Sequence, residues 1–189
     1  MRKLQKLAAR KLSYWMNAME NNAMKISIIY YSETGTTEQV ARWIAEGANS
    51  VSDTETRLFN LAENDTPDRE FVESSNAVVF GTPTYVANMC WQMKKFFDTR
   101  LDYRLAGKIG SAFSTEGSPH GGGGELAIMT IINHLLVKGM LIYSSGAGCG
   151  RPFIHIGPTI VQSQIQEREE ISRLFGQRIA QKAHELFDR

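Results

Sequence analysis

The sequence predicts an α/β fold, a parallel sheet covered by helices on both faces. From Met24 onward, short β-rich runs alternate with helical ones. The first of these, residues 25–31 (KISIIYY), is a near-continuous apolar run, the mark of a strand buried on both faces. Five strand-like runs are each followed by a helix or a helix-like link, which calls for parallel strands joined by right-handed crossovers.

Residues 1–23 stand apart. Leu4, Leu7, Ala8, Leu12, Trp15, Met16 and Met19 recur at helical spacing between Lys3, Lys6, Arg10 and Lys11, predicting an amphipathic helical extension. It lacks the apolar centre and small-residue cleavage site of a secretory signal. Three uses fit it: an arm on a partner subunit, a weak basic membrane-surface helix, or an extension upstream of a start at Met24. Residues 24–189 then form one domain.

After the first strand, Thr36 and Gln39 have capping-box spacing, and Val40, Trp43, Ile44 and Ala48 continue a helix. Residues 54–60 read as a second strand, and 71–75 as the end of a short helix that starts near Pro67. Residues 77–81 (AVVFG) form a third strand that stops at Pro83. A helix over 89–98 puts Met89, Met93, Phe96 and Phe97 on its inner face. Residues 108–114 make a fourth strand, and Gly121-Gly122-Gly123-Gly124 a loop, because four glycines would be costly inside an element. A long apolar helix over 126–137 leads to a short fifth strand at 140–143. A Gly- and Pro-punctuated stretch over 144–158 follows, then a last amphipathic helix over 164–187 carrying Ile171, Leu174, Phe175, Ile179, Ala183 and Leu186.

Composition narrows the classes. With 42% hydrophobic and 22% charged residues, a collagen-like, disordered or disulfide-scaffold chain is excluded. No apolar run approaches the ~18 residues of a membrane span, so a soluble protein is expected. The net charge of +1 hides an asymmetry: Arg2, Lys3, Lys6, Arg10 and Lys11 against Glu20 give residues 1–23 a charge of +4, leaving −3 for the rest. That is too weak and mixed for a nucleic-acid surface. Two cysteines, Cys90 and Cys149, form neither a disulfide framework nor a CxxC metal pair, and a reducing cytoplasm is the expected compartment.

Ligands in such sheets bind outside the carboxyl ends of the strands, where strand order reverses. Three loops should meet there. Ser32-Glu33-Thr34-Gly35-Thr36-Thr37 offers hydroxyls, backbone N–H groups and a helix N-terminus, without a lysine. Neither GxxxxGK[ST] nor GxGxxG is present, which argues against a nucleotide triphosphatase and a Rossmann dinucleotide site. A phosphate monoester bound without magnesium suits these residues. In the second loop, Thr82, Thr84 and Asn88 offer hydrogen bonds, Pro83 fixes the chain, and Tyr85, beside Val86, can lie against a flat ligand. The third loop, Ser114-Thr115-Glu116-Gly117-Ser118-Pro119-His120-Gly121, combines close backbone approach with hydroxyls.

These residues carry a resemblance. SETGTT, GTPTYVANMCWQMKKFFD and GKIGSAFSTEGSPHGGGGE, in order across 24–189, resemble the three FMN-binding loops of the flavodoxin-like superfamily. Within it they are most similar to NAD(P)H:quinone oxidoreductases of the tryptophan-repressor-binding-protein type and related flavodoxin-family reductases. The resemblance implies a flavodoxin-like three-layer sandwich, a five-stranded parallel sheet in the order 2-1-3-4-5, and FMN at its carboxyl edge. By it, Ser32, Glu33, Thr34, Gly35, Thr36 and Thr37 hold the phosphate. Thr82, Pro83, Thr84, Tyr85, Val86 and Asn88 line the flavin, and Ser114, Thr115, Glu116, Gly117, Ser118 and Gly121 follow the polar edge of the ring. Departures are visible too. Lys138 precedes Gly139-Met140 where those reductases often have histidine, their tryptophan after the third helix has no counterpart beyond Tyr103, and the connection after the second strand is shorter.

The resulting expectation is an FMN-dependent oxidoreductase that moves hydride from NADH or NADPH to a quinone or similar flat acceptor, as a homo-oligomer of at least two subunits. FMN carries the chemistry, so no catalytic side chain and no metal is expected. Backbone N–H groups near Glu116 and Gly117 would face the charge gained on reduction, with the Glu116 side chain turned away. Tyr103, His120 and His155 are the acceptor-side candidates, whereas His134 and His184 are read as structural or surface positions. The alternative is a flavodoxin-type electron carrier or an FMN-holding module. Such carriers are strongly acidic and bear an acidic, tyrosine-bearing third loop, whereas this domain carries only −3 and a glycine-rich loop, so steered docking would be weak. A phospho-receiver is excluded because the third strand ends in Gly81-Thr82-Pro83 rather than aspartate. A CxxxxxR phosphatase is excluded because Phe96 and His155 occupy the arginine positions.

Overall fold

The computed structural model describes residues 23–188, and the amphipathic extension read over 1–23 lies outside the described residues except for its last position. In chain order the elements are β1 (Met24–Tyr30), α1 (Thr36–Asn49), β2 (Thr54–Asn60), α2 (Arg69–Ser74), β3 (Ala77–Tyr85), β4 (Asn88–Met89), α3 (Trp91–Thr99), β5 (Ile109–Glu116), α4 (Gly124–Val137), β6 (Leu141–Ile142), β7 (Thr159–Val161) and α5 (Glu169–Phe187). The sheet runs β2-β1-β3-β5-β6, with β7 also on β5, and every pair except the β3–β4 hairpin is parallel. Counting the hairpin arm out, this is the expected order, 2-1-3-4-5.

Side chains alternate across the sheet with the period of two that strands impose. Ile26, Ile28, Val79 and Phe113 pack under α1 and α5 against Val40, Ile44, Phe175 and Ile179. Ile29, Val78, Phe80 and Ala112 pack on the other face against Met93, Phe96, Phe97, Ile128, Ile131 and Leu135. Two glycines let α1 and α5 touch backbone to backbone. A Cβ on Gly47 would stand 1.9 Å from the carbonyl oxygen of Arg173, and one on Gly176 1.9 Å from that of Ile44. Neither helix could approach the other so closely with a side chain at those positions.

The structure corrects five expectations. The third strand runs through Pro83 to Tyr85: β1 pairing ends at Gly81, so proline's missing N–H faces no partner strand, while Pro83 still registers with Thr115 of β5. It then turns through Val86 and Ala87 into β4, so Met89 lies in a strand and α3 begins at Trp91. No capping box forms, because Gly35, at φ +95°, takes the cap position and Thr36 is already helical. The fifth strand is split into β6 and β7, paired with opposite ends of β5, and residues 143–158 leave the sheet between them. The last helix begins at Glu169 after 3₁₀ turns over Gln162–Arg168. The excursion is held by the buried Arg178, which donates to Ser145 Oγ and to the carbonyl oxygens of Cys149, Gly150 and Pro152 at 2.9–3.3 Å.

Candidate functional site

The carboxyl ends of β1, β3, β5 and β7 meet at a cleft of about 190 Å³. One wall is the turn after β1. Its backbone is clamped by Asn60, whose Oδ1 accepts from Ser32 N at 3.0 Å and whose Nδ2 donates to the Ser32 carbonyl at 3.0 Å. Ser32 Oγ accepts from Gly35 N at 3.2 Å, bending the chain so that α1 points its start at the cleft. The first-turn N–H groups of Thr36, Thr37 and Glu38 have no acceptor among the described residues, because glycine supplies no capping side chain. An α-helix leaves these donors unpaired and adds the positive end of its dipole.

The opposite wall is the end of β5. The Thr37 and Thr115 hydroxyls are 2.8 Å apart, joining the two walls. The Glu116 side chain turns away from the cleft: its Oε2 accepts from Gly122 N at 3.1 Å and Gly124 N at 2.8 Å, which pins the glycine run and stabilises the start of α4. Gly117 lines the cleft, and a Cβ there would meet nothing within 4 Å. The third side is β3, with Pro83, Thr84 and a half-exposed Tyr85. Thr84 Oγ1 is buried without a hydrogen-bond partner among the described residues.

Ser32, Glu33, Thr34, Thr36, Thr37, Pro83, Thr84, Tyr85, Thr115, Glu116 and Gly117 therefore come together as the lining, with no lysine, arginine or histidine among them. The remaining candidates lie elsewhere. Thr82 is fully buried and its hydroxyl accepts from Cys90 N at 2.9 Å, tying the hairpin to α3. Ser114 is buried too, its Oγ donating to the Gly124 carbonyl at 3.0 Å. Gly35 shapes the turn without lining it, Val86 is 99% exposed at the hairpin tip, and Asn88 Oδ1 accepts from Met89 N. Ser118, His120 and Gly121 sit in the outer loop, away from the lining. Tyr103 is 3% exposed, its ring tilted against Phe96 with centroids 5.7 Å apart and its hydroxyl donating to the Pro67 carbonyl at 2.6 Å, so it is a core residue and not an acceptor-side one. His155 lines a separate hollow beside Phe153 and Arg168.

Sequence reading missed Asn60 and Gln162. Asparagine closing a strand is a signal for Asn60, since it is a poor strand former. Gln162 lines the cleft because β7 delivers it there, and β7 is too short to show a period.

Burial, then the hydrogen bond to Glu33 at 3.1 Å, pushes the Tyr31 phenol up, and burial, then Glu38, pushes Tyr30 up to about 12. Burial also pushes the Cys90 thiol up, so it offers no thiolate nucleophile. Among the described residues no cluster of His, Cys, Asp and Glu could hold a metal ion, and no helix is long and apolar enough to cross a membrane.

The family model described as Flavodoxin matches residues 28–121. A flavodoxin from Clostridium saccharobutylicum is 47% identical over 165 residues, covering 87% of this chain and 100% of that one. An NAD(P)H dehydrogenase (quinone) from Aromatoleum aromaticum is 34% identical over 145 residues, covering 63% of this chain and 69% of that one. Among solved structures, a WrbA-like flavodoxin from Agrobacterium tumefaciens superposes with a TM-score of 0.69 at 23% identity, covering 86% of this chain and 98% of that one, a likeness of fold.

Proposed function

This chain belongs to the flavodoxin family, and on that premise we propose that its cleft holds FMN and that the protein carries electrons between partners. The observation that supports it is the unspent hydrogen-bonding capacity of the cleft: three first-turn N–H groups of α1 and the Thr84 hydroxyl have no partner among the described residues. Buried or converging polar groups left unpaired are costly unless a ligand meets them. A phosphate monoester suits the N–H groups and the hydroxyls of Ser32, Thr34, Thr36 and Thr37, which compensate its charge without a basic side chain. Pro83, Thr84 and Tyr85 would border the ring, and the backbone around Glu116 and Gly117 would face its polar edge. Bound FMN supplies the redox chemistry by taking up and giving back electrons at the ring. The chain holds and orients the group and keeps the Glu116 carboxylate turned from it.

The cleft size bears on how the ring is presented. About 190 Å³ is below the ~300 Å³ at which sites begin to enclose a ligand, so a flavin held here would be only partly enclosed. A partly enclosed flavin serves transfer to a docked protein as well as to a small acceptor. Two free cysteines suit a reducing compartment, and we place the protein in the cytoplasm.

A second reading, the NAD(P)H-dependent reductase of quinone-like acceptors, is favoured by the domain charge of only −3 and by the quinone dehydrogenase relatives. One experiment separates the two. The FMN-loaded protein is mixed anaerobically with NADH or NADPH and the visible flavin absorption is followed by stopped flow. For a carrier, neither nucleotide bleaches the band while dithionite does. Rapid bleaching by either nucleotide would establish the reductase instead.

A further inference from the structure

We infer that Gln162 recognises the phosphate end of the flavin, and that the split of the fifth strand is what delivers it there. This rests on the FMN reading above.

The pairing of β7 with β5 runs Ser114 to Thr159, Thr115 to Ile160 and Glu116 to Val161. The pairing ends there, and the residues that follow each strand, Gly117 and Gln162, both line the cleft. The glutamine side chain is exposed and has no hydrogen bond to another described residue. β7 lies on the flank of β5 opposite β3, which carries the ring-side Tyr85. Thr115, in the same end of β5, is bonded to Thr37 in the first turn of α1. Gln162 thus shares one cleft with Thr36 and Thr37 at the start of the helix and with Thr115, which is bonded to Thr37. A primary amide there adds two N–H donors to a set otherwise made of backbone groups and hydroxyls. It brings no charge, so its preference for phosphate comes through hydrogen bonding.

The test uses the apoprotein and titrates FMN and riboflavin by fluorescence quenching, for the parent, Gln162→Leu and Gln162→Glu. Thermal melts of the apo forms check folding, which an exposed side chain should leave unchanged. FMN binding should weaken about 5- to 20-fold in Gln162→Leu, the loss of a hydrogen bond to a charged group. It should weaken further in Gln162→Glu, more so above pH ~6, where the phosphate carries its second charge. Riboflavin should change less than about twofold in both variants. Equal losses for the two flavins, or no loss in either variant, would overturn the assignment. Failure of the parent protein to bind FMN at all would instead overturn the function proposed above.

Discussion

The hydroxyls of Thr37 and Thr115 lie 2.8 Å apart, both residues nearly fully buried, and this contact is where the first helix meets the end of β5. Thr115→Val keeps the shape but leaves the Thr37 hydroxyl to find another partner. Urea unfolding should show a loss of about 1–3 kcal/mol. FMN should also bind more weakly, because the helix start is no longer held against β5.

Gly117→Val separates stability from binding. A Cβ at Gly117 has open space around it, so the unfolding free energy of the apoprotein, from urea titration, should stay within about 0.5 kcal/mol of the parent. The branched side chain would project where the ligand belongs, and FMN affinity should fall at least about tenfold, or ~1.4 kcal/mol, in a fluorescence titration.

Gly176→Ala, and independently Gly47→Ala, should destabilise the fold without touching the cleft. Each added methyl would stand 1.9 Å from a backbone carbonyl of the facing helix, and backbone yields less readily than a side chain. A loss of about 3 kcal/mol is expected from thermal or urea unfolding, at the upper end for overpacking.

Glu116→Ala removes the carboxylate that two backbone N–H groups of the glycine run share. About 1–3 kcal/mol of stability should be lost. Amide hydrogen exchange should rise across residues 117–124 and stay unchanged in β1 and β2.

Acid should weaken the sheet's amino-terminal margin. The Glu73 carboxylate is held below its ordinary range, first by the Arg104 side-chain hydrogen bond at 2.7 Å, with the Arg104 N–H at 3.3 Å and the Arg69 charge adding to it. A lowered carboxylate pKa contributes stability that is fully present above the unfolded value and is lost as pH falls through the folded one. Urea midpoints measured between about pH 6 and pH 3 should therefore fall less steeply in Glu73→Gln than in the parent.

Much of this architecture is legible before any coordinates, for reasons that differ residue by residue. The turn at 32–37 is readable because hydroxyl residues crowd between an apolar run and a helical period, and that signal does not depend on distant contacts. The layer assignment of Met93, Phe96 and Phe97 follows from helical spacing alone. Tyr103 misleads because it is an aromatic after the third helix, where the resemblance sets a tryptophan, while its ring is drawn inward by Phe96 and the Pro67 carbonyl, contacts made across the fold. Thr82 and Ser114 read as ligand contacts because hydroxyls at strand ends suit either role. Only the positions of Cys90 and Gly124 show that their bonds are internal. Pro83 suggests a strand end until the shorter reach of β1 leaves its nitrogen without a neighbour.

The excursion between β6 and β7 has a practical side. The chain departs from one end of β5 and returns at the other, and the sheet registers on both flanks are set outside it. Arg178 holds Cys149 through its backbone carbonyl, so the exposed thiol of that residue can carry a dye while the anchoring stays in place, at the cost only of the thiol's contact with the Tyr143 hydroxyl. Because the return strand leads directly to Gln162, a label at position 149 would ride on the same segment, thirteen residues ahead of the cleft lining, turning a detour in the chain into a readout for occupancy.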